Sequence, residues 1–180
     1  MFVQTEVTPN PNSLKFLPGK RVSNDGSFEV TKKEETDNEL VRNLLSINGV
    51  TGVFLGTDFL SINKSEDTDW EEIKHIVISL INEFYSTGKE FVIASSLVNE
   101  NKSNLLDIEK KIIKILDTKI RPAVAKDGGD IKFKEFKDGV VKVELQGSCS
   151  GCPSSTMTLK QGVQNLLCHY LPEVKEVIAI

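Results

Sequence analysis

The residues best suited to chemistry lie late in the chain, in the stretch Leu145-Gln146-Gly147-Ser148-Cys149-Ser150-Gly151-Cys152-Pro153-Ser154-Ser155. Cys149 and Cys152 are three positions apart, a spacing that lets both sulfurs reach one metal centre, either zinc or an iron-sulfur cluster. Gly147 and Gly151 lift the steric bar on positive φ and allow backbone N–H groups to approach a negatively charged sulfur. Pro153 suits the first turn of a helix, where its missing N–H costs little. The partial positive charge at such a helix start would lower the thiol pKa of Cys152 and favour the metal-binding thiolate. Zinc and ordinary clusters take about four protein ligands, and this loop supplies half of them. A two-fold dimer with Cys149 and Cys152 from each chain completes the set. The third cysteine, Cys168, sits beside His169 and would have to fold back to reach the loop; we read it as a small buried hydrophobe.

Spacing alone does not choose between zinc and a cluster, and it also fits a dithiol that cycles with a disulfide, Cys149 as nucleophile and Cys152 as resolving thiol. The redox reading expects a βαβ setting, whereas the motif here follows a hairpin in a segment with few parallel-strand signals. No Ser-His-acid arrangement and no nucleotide-binding motif is present, so no catalytic turnover is expected.

The elements that must position the loop are legible from periodicity. Asn104 reads as the N-cap of a helix carrying Leu105, Ile108, Ile112, Ile115, Leu116 and Ile120 on one face, until Pro122 disturbs it. Asp127-Gly128-Gly129-Asp130 reads as a turn, since it lacks both the alternating ligands of a calcium loop and the Lys-Ser/Thr ending of a phosphate loop. Ile131, Phe133 and Glu135 then alternate with lysines, and Asp138-Gly139 leads into Val141, Val143 and Leu145, giving a hairpin. After the cysteine loop, Leu159, Val163, Leu166, Leu167 and Tyr170 mark a second helix, followed by an apolar tail from Val174 to Ile180.

Upstream, the prolines and asparagines of Thr8-Pro9-Asn10-Pro11-Asn12-Ser13 predict a corner between short strands. Thr36 to Glu39 and Thr68 to Glu71 read as capping boxes. The first opens a short helix with Leu40, Leu44 and Ile47. The second opens a long one with Trp70, Ile73, Ile76, Val77, Leu80, Ile81 and Phe84 facing a core and His75 left in solvent. Between them, Val50 to Leu55 and Asp58 to Asn63 predict an antiparallel hairpin around Gly56-Thr57. The pattern decays after Ser86, so we expect domains at 1–88 and 104–180 joined by a linker at 89–103. The fold class expected is α+β, two small domains, with the C-terminal one α-β-β-α-β and its Cys-x-x-Cys loop between strand and helix.

Composition agrees with an ordinary globular chain: 180 residues, 39% hydrophobic, 27% charged, net charge −4. Collagen-like and wholly disordered classes are excluded, and no apolar run approaches the length needed to span a bilayer. Residues 1–100 carry −7 and residues 101–180 carry +3, far from the clustered basic surface of a nucleic-acid binder. Neither nucleic acid nor membrane is an expected partner. The cysteine count is odd, and Met1 to Val7 lack a secretory signal pattern, so a reducing compartment is expected.

Leu116-Asp117, Ile120-Arg121-Pro122, Asp127-Gly128-Gly129-Asp130, Leu145 to Cys149, Cys152-Pro153-Ser154-Ser155, Thr158-Leu159-Lys160 and Pro172-Glu173-Val174 together resemble the C-terminal domain of NifU-like, or Nfu-type, iron-sulfur scaffold and carrier proteins. Gln4-Thr5, Thr8 to Phe16, Gly49-Val50, Phe54 and Asp58-Phe59 resemble the Nfu-type N-terminal domain. The resemblance implies that Cys149 and Cys152 ligate a transient 4Fe-4S cluster shared by two protomers of a homodimer. It implies receipt of the cluster from upstream assembly proteins and delivery to apo-protein clients. The N-terminal domain, without cysteine, is then a recognition or positioning module. A bacterial cytoplasmic location is expected, or the mitochondrial matrix for a processed eukaryotic form.

Overall fold

The computed structural model describes residues 2–24, 26–90, 92, 106–150 and 153–180, the first three residues of the last segment by their backbone alone. The chain divides into two compact units, Met1–Leu97 and Val98–Ile180.

The first unit is built on a five-stranded antiparallel sheet. Its elements are β1 (Gln4–Val7), β2 (Ser13–Leu17), β3 (Phe28–Val30), α1 (Glu39–Leu45), β4 (Val50–Leu55), β5 (Leu60–Lys64) and α2 (Trp70–Ser86), with sheet order β1-β2-β5-β4-β3. The Thr8–Asn12 corner is held from within: Thr8 Oγ1 donates to the carbonyls of Asn10 and Ser13, and Asn10 Oδ1 accepts from the Asn12 N–H. Both helix starts lie downstream of the expected caps. Asn38, not Thr36, caps α1 by accepting from the Val41 N–H, and Asp69, not Thr68, caps α2 by accepting from the Glu71 N–H. The reason is local competition: Thr36 Oγ1 is taken by the Asn38 N–H, and Thr68 Oγ1 is paired with Ser65 Oγ.

On α2, Ile73, Val77, Ile81 and Phe84 are buried as the stripe predicts, and His75 is exposed. Ile76 is a correction, 39% exposed at the edge of the buried face. Val92 falls within the linker expected at 89–103, where the sequence leaves open a brief strand or docking of Phe91-Val92-Ile93 on the first domain; it is buried in the first core and its N–H donates to the Val22 carbonyl. A single apolar side chain with a backbone partner is enough to dock there, and no periodicity reveals it. Apart from Lys89, Glu90 and Val92, the expected linker lies outside the described residues.

The second unit runs α3 (Asp107–Ile115), a π-helical turn (Leu116–Ile120), α4 (Arg121–Lys126), β6 (Gly129–Lys137), β7 (Val140–Gly147), α5 (Pro153–Tyr170) and β8 (Glu176–Ala179). The expected cap Asn104 lies outside the described residues; α3 starts after Leu106, whose N–H donates to Glu109 Oε2. Pro122 does not end the helical path. The preceding turn widens so that the Arg121 N–H donates to the Leu116 carbonyl, and Pro122 falls in the first turn of α4, where no N–H is required.

β6 and β7 form the predicted hairpin, turning at Asp138 (φ 52°) and Gly139 (φ 80°), the mirror-image turn that matches strand twist. A bulge between Phe133 and Glu135 breaks the alternation, so Phe136 rather than Glu135 packs on the core while Glu135 pairs with Lys142 at 2.9 Å. β8 pairs with β7 in parallel, giving the sheet order β6-β7-β8. The motif therefore stands in a β7-α5-β8 crossover, and the sequence argument that this segment lacks a βαβ setting is corrected. An apolar tail such as Val174 to Ile180 does not announce its direction of pairing. α5 runs to Tyr170 as expected, and that last residue is 48% exposed, with Lys119 Nζ over its ring, because α5 turns the position away from the core formed by Val163 and Leu167.

Candidate functional site: the loop between β7 and α5

β7 alternates from Val140 to Leu145, with Val141, Val143 and Leu145 buried in the second core, and so delivers the chain to the loop in a set register. Gly147 (φ 68°) turns it out of the sheet. The next residues are pinned on three sides. The Ser148 N–H donates to the Gly128 carbonyl at 3.2 Å and Ser148 Oγ donates to the Asp127 carbonyl, which tie the loop to the turn before β6. The Ser150 N–H and Oγ both donate to the Gly147 carbonyl. Thr156 Oγ1 donates to the Cys149 carbonyl at 3.2 Å, joining the loop to the first turns of α5.

Cys149 is thus placed by β7, the 127–129 turn and α5 together, and it is 7% exposed within the second core. Cys152 and Gly151 lie outside the described residues. α5 begins at Pro153, the residue that follows Cys152 in the chain, as its place in a first helical turn predicts. Cys168, expected as a small buried hydrophobe, is half-buried, and its Sγ–H donates to the Val174 carbonyl at 3.2 Å, twelve residues along α5 from Thr156. That separation is about 18 Å of helical rise, so Cys168 cannot share a metal with Cys149. Among the described residues, no three His, Cys, Asp or Glu side chains gather in a metal-binding cluster.

Behind the loop lies an ion pair that periodicity does not reveal. Arg121 Nε and Nη2 donate to Asp130 Oδ1 and Oδ2, both at 2.8 Å, and Arg121 Nη1 donates to Asp117 at 3.0 Å. Asp130 is buried and also accepts from the Ile131 N–H at 2.8 Å. The hydrogen bonds to Asp130 hold the Arg121 guanidinium above even its ordinary high pKa, against the cost of burial. On the same sheet, burial pushes the Lys132 ammonium pKa down. The turn read from Asp127 to Asp130 is therefore also the anchor between α4, β6 and the cysteine loop. The Asp117 to Arg121 spacing of four is the part of this network that a sequence can show; the link to Asp130 crosses a turn and is tertiary.

The chemistry on offer is a soft sulfur donor at a strand-helix junction. Residues 3–88 match the family description "Scaffold protein Nfu/NifU N terminal" and residues 112–178 match "NifU-like domain". The chain is 44% identical over 180 residues to a Homo sapiens protein named NFU1 iron-sulfur cluster scaffold homolog, mitochondrial, covering 98% of this chain and 71% of that protein. It is 41% identical over 187 residues to NifU-like protein 4, mitochondrial, of Arabidopsis thaliana, covering 98% of this chain and 65% of that one. The chain thus spans about two thirds of the length of these relatives. A NifU-like protein of Saccharomyces cerevisiae solved by NMR aligns with 53% of this chain and 87% of its own, at 29% identity and a TM-score of 0.48. On the matched domains and these identities, the chain belongs to the NFU1/NifU-like family of iron-sulfur cluster scaffold proteins.

Proposed function

We propose that the protein binds a transient 4Fe-4S cluster between two protomers through Cys149 and Cys152 and transfers it to apo-proteins. The observation that supports this most is the placement of Cys149 at the β7–α5 junction, tied by Ser148 and Thr156 to two neighbouring elements, in a chain of the scaffold family. The cluster is cargo. Two thiolates per chain hold it; with so few ligands from each side, separation of the protomers or attack by an incoming thiolate releases it. The homodimer, the upstream donors and the apo-protein clients belong to this proposal. So does the compartment: the relatives' names favour the mitochondrial alternative over the bacterial cytoplasm expected from the sequence.

Anaerobic reconstitution with iron and sulfide tests the reading, with visible absorbance, Mössbauer spectra and light-scattering mass recorded for wild type, Cys149→Ser, Cys152→Ser and Cys168→Ser. A brown dimer with cubane spectra, lost in the first two variants and kept in the third, is the expected result. The β7-α5-β8 crossover favours one competing reading, a dithiol-disulfide oxidoreductase. A colourless wild type that forms a Cys149 to Cys152 disulfide of defined potential would select it. A colourless dimer with one tightly held zinc would select a zinc-bridged interaction module.

A further inference from the structure

Cys149 is turned inward. A Cβ built on Gly129 would stand 2.7 Å from Cys149 Sγ, 2.6 Å from the Gln146 carbonyl oxygen and 3.2 Å from the Cys149 nitrogen, and real Cβ atoms essentially never come within 3.0 Å of a neighbour. Gly129 does not have a positive φ, in contrast to its neighbour Gly128 at 83°. What requires glycine at 129 is therefore the closeness of the sulfur and the adjoining carbonyl, not backbone conformation. The two Ser148 bonds to Asp127 and Gly128 hold the turn against the loop and keep this contact shut.

A sulfur that bonds a group shared with a second chain has to face out of its own subunit. At 7% exposure, Cys149 faces in. We propose that Gly129 is a positioning residue: its bare backbone is an inward seat for the Cys149 sulfur, and occupancy of that seat competes with cargo binding. The inference rests on the reading of Cys149 as a cargo ligand. The apparent affinity for a shared metal is then the intrinsic affinity multiplied by the fraction of chains whose sulfur has left the seat, once for each chain. Seat closure after release helps to drive the cargo onward.

Gly129→Ala fills the seat. The test uses the full chain, free of metal, treated with iodoacetamide and followed by mass spectrometry at Cys149 and Cys168, together with titration by Cd2+ read from thiolate-to-metal absorbance. Cys168 lies in the same unit with its own hydrogen bond to Val174, so it reports general loosening. The expected result is a rise of about tenfold in the alkylation rate of Cys149 with Cys168 unchanged, and a Cd2+ affinity about a hundredfold tighter where two chains share the ion. Three results overturn the inference: an unchanged Cys149 rate, an equal rise at both cysteines, or faster alkylation with weaker Cd2+ binding, which would make the inward position the ligating one. A wild type that binds neither Cd2+ nor a cluster removes the proposed function itself and the competition with it, a failure that the alkylation ratio keeps distinct from the other three. Gly129→Ala combined with Cys149→Ala covers a single variant that does not fold. Folding of the double variant alone identifies the sulfur as the obstacle and supports the seat; failure of both assigns the glycine to the Gln146 carbonyl and overturns it.

Discussion

Asp130→Asn probes the ion pair that anchors the turn beneath the cysteine loop. In the native chain the carboxylate accepts hydrogen bonds of 2.8 Å from Arg121 Nε, Arg121 Nη2 and the Ile131 N–H. Asparagine keeps one carbonyl oxygen and turns the other acceptor into an NH2 facing a guanidinium, so a donor meets a donor and the charge is lost. Removing one partner of a fully buried pair costs about 3–5 kcal/mol. Asp130 is 7% exposed, but Arg121 is 36% exposed and retains Asp117 at 3.0 Å. Solvent and the second carboxylate therefore offset part of the loss, and we expect about 2 kcal/mol. For a unit of this size that lowers its melting temperature by about 8–16 °C. Hydrogen exchange resolved by peptide is the assay, since the β6 and β7 amides should lose protection. The single tryptophan, Trp70, lies in the first unit and supplies the control: its urea midpoint by fluorescence should not move. A loss below about 0.5 kcal/mol in the second unit would refute the reasoning, because such a value is typical of a surface substitution.

Tyr85 is buried, donates to the Arg21 carbonyl at 2.8 Å, and has its pKa pushed by burial from 10.0 up to about 12. A raised pKa contributes stability that is complete below the unfolded value and lost as pH climbs through the folded one, so the first unit should lose roughly 2 kcal/mol between about pH 10 and 12. Tyr85→Phe should remove most of that slope while costing about 1 kcal/mol at neutral pH, read from Trp70 fluorescence in urea. Lys132 has the opposite sign: burial lowers its pKa, so the second unit gains stability as pH rises toward 10.5, and Lys132→Met should flatten that gain in hydrogen-exchange protection. Gly139→Ala forces φ 80° on alanine and brings a Cβ to 2.9 Å from the Lys175 side chain; a loss of about 1–2 kcal/mol is expected in the same assay, and none would mean the turn relaxes freely. Cys168→Ser should leave cluster reconstitution intact, since its sulfur is engaged at the far end of α5.

Periodicity and turn chemistry were enough to read the order of elements in the second unit, the hairpin at Asp138-Gly139, the start of α5 at Pro153 and the buried stripe of α2, because each depends on neighbours within a few residues. Other features depend on side chains meeting across the fold: the parallel pairing of β8, the bulge that swaps Phe136 for Glu135, the docking of Val92 and the bidentate pair of Arg121 with Asp130. The same holds for Gly129. In the sequence it is one of two glycines in a turn; only packing, with Cys149 Sγ and the Gln146 carbonyl brought against its α-carbon, decides that the second must have no side chain.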